Sequence, residues 1–390
     1  MNMPHDTGSG PGPSATVLFV DHAPFIGGAE TILLEMAAKL PTSRARPVLV
    51  TAEDSPLVAR AKRQGLPVAT IPFPRLSRFP PVAPVLLFAT GRALARQARL
   101  HAAALMITNT SRAHVAGLLA SVLTGIPLVW ALNDDTLPRW LFRLWLNRPT
   151  AVVAISHHIA RHYSPGPASG RMRIIYPGVE LPARQADGGA FRRQIGIPDG
   201  APLAICVGRL VEWKGADVFI AASARVAPEV PAAHFVLVGE PDPSEKDRGG
   251  EYRRRLEAQA HAAGLRERLH FAGFRADVGP AYSAADIVVH AARAPEPFGM
   301  VLIEAAAYGA AVIATDAGGP REILVHGETG LLVPPGDAVS LAGAMRRLFA
   351  DPSGARAMGE AGRERVAAHF NLAVTVERYL DLFTSVLRRA

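Results

Sequence analysis

Short apolar runs alternate with longer amphipathic stretches along almost the whole chain. The runs predict strands near Ala15–Val20, Pro47–Thr51, Val68–Ile71, Leu105–Thr108, Leu128–Ala131 and Ala151–Ile155. A second set lies near Leu203–Val207, Phe235–Val238, Leu269–Ala272, Ile287–His290, Ala311–Ala314 and Leu331–Val333. Between them, helical spacing is read at Ala29–Leu40, Val82–Leu100, Ala113–Leu123 and Leu137–Leu146, then at Ala216–Val226, Tyr252–Ala263, Val301–Tyr308 and Leu341–Phe349. Alternation of this kind argues for parallel, doubly wound α/β sheets. The stretch from Ala113 to Leu132 is apolar enough to suggest a membrane span. Gly117, Gly125 and Pro127 interrupt it, and helix–turn–strand fits better.

At Pro177-Gly178-Val179-Glu180 the composition shifts, and a polar connector follows from Ala183 to Asp199. This is the expected domain boundary. It leaves a Gly-, Pro- and Ser-rich tail over 1–14, expected to be mobile, and Rossmann-like domains over 15–182 and 183–371. A last helix follows in 372–390. Val376, Tyr379, Leu380, Phe383 and Leu387 give it one apolar stripe, which needs a partner. Two such domains are expected to face each other across a cleft, with ligand at the carboxyl ends of the strands.

Composition narrows the classes. At 390 residues, each half is long enough to bury its own core. The formal charge of +8 gives a positive field that suits anionic ligands. The arginines are scattered among alanines, with neither a basic tract nor interleaved aromatics, so no nucleic-acid partner is expected. Cys206 is the single cysteine and sits in an apolar run, where a buried small hydrophobe is expected. With no secretory layout at the amino end, a cytoplasmic location is expected.

Three turns carry candidate chemistry. Glu296-Pro297-Phe298-Gly299-Met300-Val301-Leu302-Ile303-Glu304 lies between a strand and a helix expected to begin around Gly299. The unpaired amides of Gly299, Met300 and Val301 at that helix start would suit a diphosphate. Glu296, in a loop facing the ligand, and Glu304, inside the helix, could each address hydroxyls, one at either end of the anion. The ordinary alternative is a surface glutamate and a helix-face salt bridge. In Gly208-Arg209-Leu210-Val211-Glu212-Trp213-Lys214-Gly215, after a strand, Arg209 and Lys214 could converge on one anion. Gly27-Gly28 in Pro24–Glu30 would let the backbone approach a ligand, or would simply form a tight turn.

Together with Gly318-Gly319-Pro320-Arg321-Glu322, these segments resemble the retaining glycosyltransferase family 4, enzymes of the GT-B fold. The resemblance runs in order over nearly the whole chain. It implies an acceptor-binding first domain, a nucleotide-sugar-binding second domain, and a C-terminal helix packed back on the first. Glu296 would contact the transferred sugar, Glu304 the ribose, and Arg209 and Lys214 the diphosphate. The Gly299–Val301 amides would hold phosphate or sugar oxygens, with Phe298 in the same turn. Gly239, Gly273 and Phe274 are weaker donor-binding candidates beside the base, and Gly27 and Gly28 are placed in the donor set. UDP is favoured over GDP. The resemblance implies no cofactor and a metal-independent reaction, and the lack of an Asp-x-Asp or His/Cys ligand cluster in the sequence is consistent with that.

The chain departs from many relatives in one place. Where they carry a histidine after the strand at Leu128–Ala131, it reads Asn133-Asp134-Asp135. Asn133 or Asp134 would then position the acceptor, a small molecule, a glycan or a glycolipid. His22 follows the first strand but receives no catalytic role. Acceptor specificity is placed around Pro72–Pro84 and Asn133–Arg148. Phosphorylase-like and epimerase readings lack the pyridoxal lysine and the His–carboxylate pairs they need. Two further alternatives are a peripheral-membrane glycolipid glycosyltransferase and a non-catalytic nucleotide-binding module. Trp140–Leu146 could touch lipid, although a core helix is preferred there.

Overall fold

The computed structural model describes residues 14–73, 83–146, 149–163, 171–183, 186–241 and 250–389. The tail expected at 1–14, except its last residue, and most of the Pro72–Pro84 segment lie outside the described residues. The chain divides into two units, one running to Pro177 and resuming at Leu372, the other spanning Gly178–Asn371.

The first unit contains β1 (Ala15–Val20), β2 (Ala45–Thr51), β3 (Val68–Thr70), β4 (Ala103–Thr108), β5 (Leu128–Leu132), β6 (Ala151–Ala154) and β7 (Met172–Ile174). They form one sheet in the order β3-β2-β1-β4-β5-β6-β7, and every pairing is parallel. The second unit contains β8 (Leu203–Val207), β9 (His234–Val238), β10 (Leu269–Gly273), β11 (Ile287–His290), β12 (Ala311–Thr315) and β13 (Leu331–Val333). Its order is β10-β9-β8-β11-β12-β13, again parallel throughout. In each unit the strand order reverses beside its first strand, between β1 and β4 and between β8 and β11. Such reversals leave a crevice at the carboxyl ends of the two strands.

The strands read as unbroken apolar runs because helices cover both faces of the sheet. Along β1 the side chains alternate. Val17 and Phe19 join Leu33, Leu34 and the helix Leu372–Leu387 in one cluster, while Leu18 and Val20 join Leu94, Ala113 and Ala116 in another. The helix Leu372–Leu387 buries Val376, Tyr379, Leu380 and Phe383 against this first-unit core. Cys206 is buried, and burial pushes its thiol up to about 12.

Elements that the pattern does not show include β7 and the helices Pro56–Arg63, His157–Tyr163, Gly188–Ile195, Gly279–Ala284, Pro320–Ile323 and Pro352–His369. Gly188–Ile195 lies in the stretch expected to be connector. Asp187 caps it, accepting from the Ala190 amide at 2.8 Å, and only Phe191 is buried. One buried residue in eight gives no visible period. Pro352–His369 is hidden for another reason. Its inner face includes Ala355, Gly359 and Gly362, small residues that let it lie close against its neighbours.

Ala113–Leu132 resolves into the helix Ser111–Thr124, a left-handed Gly125 and β5. Among the described residues no helix is long and apolar enough to cross a membrane. The expectation of a core helix at Trp140–Leu146 needs correction. In the helix Arg139–Leu146, Phe142 is fully buried, but Trp140 and Leu144 are 68% and 65% exposed.

Candidate functional site

In the second unit, polar side chains gather where the strand order reverses. Arg209 follows β8, and His290 is the last residue of β11. After Arg209 the chain makes a 3-10 turn, Glu212–Lys214, ending at Gly215 with φ +71°. A Cβ at Gly215 would lie 1.9 Å from the carbonyl oxygen of Ala291, so only glycine lets this loop rest on the end of β11. That contact brings Lys214 into place. Its Nζ lies 2.6 Å from Glu296 Oε2 and 4.2 Å from the centre of the Trp213 ring. His290 Nε2 is 3.0 Å from the same Glu296 oxygen. Cys206, Gly208, Arg209, Lys214, His290 and Ala291 line one cavity.

Glu296 is 8% exposed, so neither a surface glutamate nor an open loop describes it. Burial alone would raise its pKa. The charge of Lys214 and the His290 hydrogen bond outweigh that, and the carboxyl falls to about 2. The loop carrying it is clamped by the next glycine motif. Glu296 pairs with Gly318 as an isolated parallel bridge, and Gly319 N donates to Glu296 O at 2.8 Å. A Cβ on Gly318 would stand 2.2 Å from Glu296 O, and one on Gly319 would stand 2.2 Å from Phe298 O. Gly318-Gly319 therefore acts as the support of the Glu296 loop.

The sequence reading passed over His290. The available signal was a polar residue closing an otherwise apolar buried strand. A carboxylate accepts, so Nε2 carries the proton and donates to Glu296. Its Nδ1 is buried with no hydrogen-bond partner among the described residues.

The remaining second-unit candidates are spread more widely. Gly299 has φ +113° and precedes the helix Met300–Ala307, whose first turn holds the half-buried Met300 and Val301. Phe298 is buried, its ring 5.9 Å from that of Phe370. Glu304 is half-buried and accepts from the buried Tyr282 hydroxyl at 2.8 Å. Gly239 follows β9 directly and Gly273 ends β10, the two joined by Gly239 N to Gly273 O at 2.9 Å. Phe274 is 73% exposed. None of these lines the cavity at Arg209 and Lys214.

In the first unit, Gly27 leads into the helix Gly28–Lys39, and Glu30 turns back to accept from Gly27 N at 2.8 Å. At the reversal between β1 and β4, a chain of buried polar groups crosses three strand ends. Asp21, Asn109 and Asn133 each follow directly on β1, β4 and β5. Ala23 N donates to Asp21 Oδ1 at 2.6 Å, and Asn109 Nδ2 donates to Asp21 Oδ2 at 2.6 Å. Asn133 Nδ2 in turn donates to Asn109 Oδ1 at 2.8 Å and to Asn109 O at 2.9 Å. Burial pushes the Asp21 carboxyl upward, against these hydrogen bonds.

Asp134 stands apart from that chain. It is exposed and accepts from Thr136 N and Oγ1 in a local turn. His22 Nδ1 lies 2.6 Å from Thr110 Oγ1, and burial with the nearby Arg112 charge lowers it to about 4. Among the described residues no three His, Cys, Asp or Glu side chains gather as a metal site.

Residues 26–182 match the family profile described as Glycosyltransferase Family 4, and residues 188–365 match that of Glycosyl transferases group 1. The chain belongs to glycosyltransferase family 4. Its two parallel-sheet units are those of the GT-B fold of this family. Within the family it is 33% identical over 194 residues to the lipopolysaccharide core biosynthesis glycosyltransferase LpsE of Rhizobium meliloti, covering 50% of this chain and 53% of that protein. It is also 33% identical over 216 residues to a GDP-mannose-dependent phosphatidylinositol monomannoside mannosyltransferase of Mycobacterium tuberculosis, covering 53% of each chain. These matches span about half the length of either relative. Among solved structures, Anabaena HepE in complex with UDP-glucose superposes with a TM-score of 0.81 at 27% identity, covering 95% of this chain and 99% of that one.

Proposed function

We propose that the chain is a retaining glycosyltransferase, independent of metal, that moves a sugar from a nucleotide diphosphate donor to an acceptor hydroxyl. One observation carries this. Two cations, Arg209 and Lys214, line one cavity at a strand reversal, and a buried carboxylate, Glu296, holds Lys214 by a 2.6 Å contact. An ammonium has three hydrogens, and Glu296 uses one, which leaves donors that can serve a ligand. The diphosphate would bind between Arg209 and Lys214, aided by the Gly299, Met300 and Val301 amides. Glu304 would take the ribose, and Glu296 the sugar.

In the reaction the bond between the sugar's anomeric carbon and the phosphate oxygen breaks, and its electron pair goes to the diphosphate. Arg209 and Lys214 stabilise that charge where it develops. The acceptor oxygen then bonds to the anomeric carbon on the same face, and its proton passes to the departing phosphate oxygen. Asn133 positions the acceptor. UDP is the favoured base, supported by the UDP-glucose complex of HepE. GDP is the rival, supported by the GDP-mannose-dependent relative.

A thermal-shift panel of UDP-, GDP-, ADP- and TDP-sugars tests the donor, since a ligand that binds only the folded chain raises its melting temperature. Nucleotide release from the stabilising donor tests the activity. No shift and no release with any of them would overturn the proposal.

A second reading concerns location. The helix Arg139–Leu146 exposes Arg139, Trp140, Arg143 and Leu144, a basic and apolar surface that suits an anionic lipid interface. It would make the acceptor a glycolipid.

A further inference from the structure

The polar chain across β1, β4 and β5 has a direction, and two backbone atoms that cannot flip set it. At one end stands Ala23 N, which can only donate. At the other stands Asn109 O, which can only accept. Because Asn133 faces that carbonyl, the group it turns inward is its NH2, and both hydrogens are used on Asn109. Asn109 must then present its own oxygen to Asn133 and its NH2 to Asp21. Asp21 must accept, as a carboxylate does. Every amide orientation in the chain follows from the next.

The outer end is what matters to a ligand. With its NH2 spent, Asn133 keeps Oδ1, which accepts from no described residue, on a half-buried side chain. We propose that Asp21 and Asn109 are positioning residues that hold Asn133 with Oδ1 outward, so that it accepts a hydrogen bond from a hydroxyl of the acceptor. The inference rests on the reading that Asn133 handles the acceptor. The site would therefore select a donor group, such as a sugar hydroxyl or water. A carbonyl or ether oxygen in that place would meet a second acceptor.

The test reverses the chain and then restores it. In Asp21→Asn the new amide keeps its oxygen on Ala23 N and turns its NH2 toward Asn109, donor against donor. Asn109 flips, and Asn133 loses a partner. The swap Asp21→Asn with Asn109→Asp puts an acceptor at the middle position and regains every hydrogen bond. Asn109→Ala removes the relay without burying a reversed amide, and serves if Asp21→Asn does not fold.

Two readouts are used on the full chain: solvent exchange of the Asn133 side-chain NH2 by NMR, and UDP release from UDP-glucose with water as the acceptor. Asp21→Asn and Asn109→Ala should speed exchange and lower kcat about tenfold, with the UDP-glucose KM within about twofold, the loss expected for one hydrogen bond. The swap should recover slow exchange and most of kcat. Unchanged exchange in both Asp21→Asn and Asn109→Ala, or a folded swap that recovers neither readout, overturns the proposal. If exchange follows the pattern but kcat does not move, positioning is refuted. An Asn133→Ala variant with normal release would place that failure in the acceptor reading itself.

Discussion

At Glu296 two effects oppose each other, and their balance can be measured. Burial penalises the charge, while Lys214 and His290 favour it, and the carboxyl settles at about 2 against an ordinary 4.5. A folded pKa below the unfolded one means that the contribution to stability is full above about pH 4.5 and is lost as pH falls toward 2. It is on the order of 3 kcal/mol. Glu296→Gln should therefore lower stability at pH 7 as well as turnover, because Lys214 is left beside a neutral amide. The gap between wild type and variant should close between pH 4.5 and pH 2. Urea unfolding at pH 7 and pH 3 reads it, and an equal gap at both would mean that the carboxylate is not held ionised.

The two cations separate by the same logic. Arg209→Ala and Lys214→Ala should each slow nucleotide release about tenfold to a hundredfold, the range for one charge-assisted contact. Lys214→Ala alone should also raise the Glu296 pKa and shift acid unfolding upward. Identical acid unfolding in the two variants would argue against the pair.

At the scale of elements, legibility followed periodicity. The strands ending in Val20, Val207 and His290 were readable because parallel strands covered on both faces are apolar without a break. The helix Pro352–His369 was not, since three of its five buried residues, Ala355, Gly359 and Gly362, carry little hydrophobic signal. Site residues divided the same way. Arg209, Lys214 and Glu296 sit in turns with recognisable neighbours. Asp21 and Asn109 acquire their meaning from each other across strands far apart in sequence, which only the sheet order supplies. His290 lies six residues before its partner Glu296 and shows only as a polar residue closing an apolar strand.

The helix Arg139–Leu146 was half right: Phe142 anchors it, and Trp140 and Leu144 remain outside. If that surface meets lipid, co-sedimentation with vesicles rich in phosphatidylglycerol should exceed that with phosphatidylcholine alone. Trp140→Ala with Leu144→Ala should remove most of the binding and leave nucleotide release in solution intact. Equal sedimentation of wild type and double variant would remove this reading.

For the whole molecule, the proposed reaction relies on fixed cations and backbone amides, and no three His, Cys, Asp or Glu side chains gather as a metal site among the described residues. Nucleotide release should persist in EDTA. Complete loss on chelation, restored by magnesium or manganese, would assign the chain a different mechanism. The formal charge of +8 adds a long-range attraction for the anionic donor, so the apparent donor affinity should weaken with salt.

The first unit's core takes Leu372, Val376, Tyr379, Leu380 and Phe383 from a helix that lies beyond the whole second unit in the chain. On the ribosome, β1 to β7 emerge with one face of their sheet still lacking that cover. The 194 residues from Gly178 to Asn371 must be made before it arrives. The unit begun first is thus completed last. Through that interval Val17, Phe19 and Leu33 belong to an unfinished face, the kind of transiently exposed apolar surface that chaperones engage during synthesis.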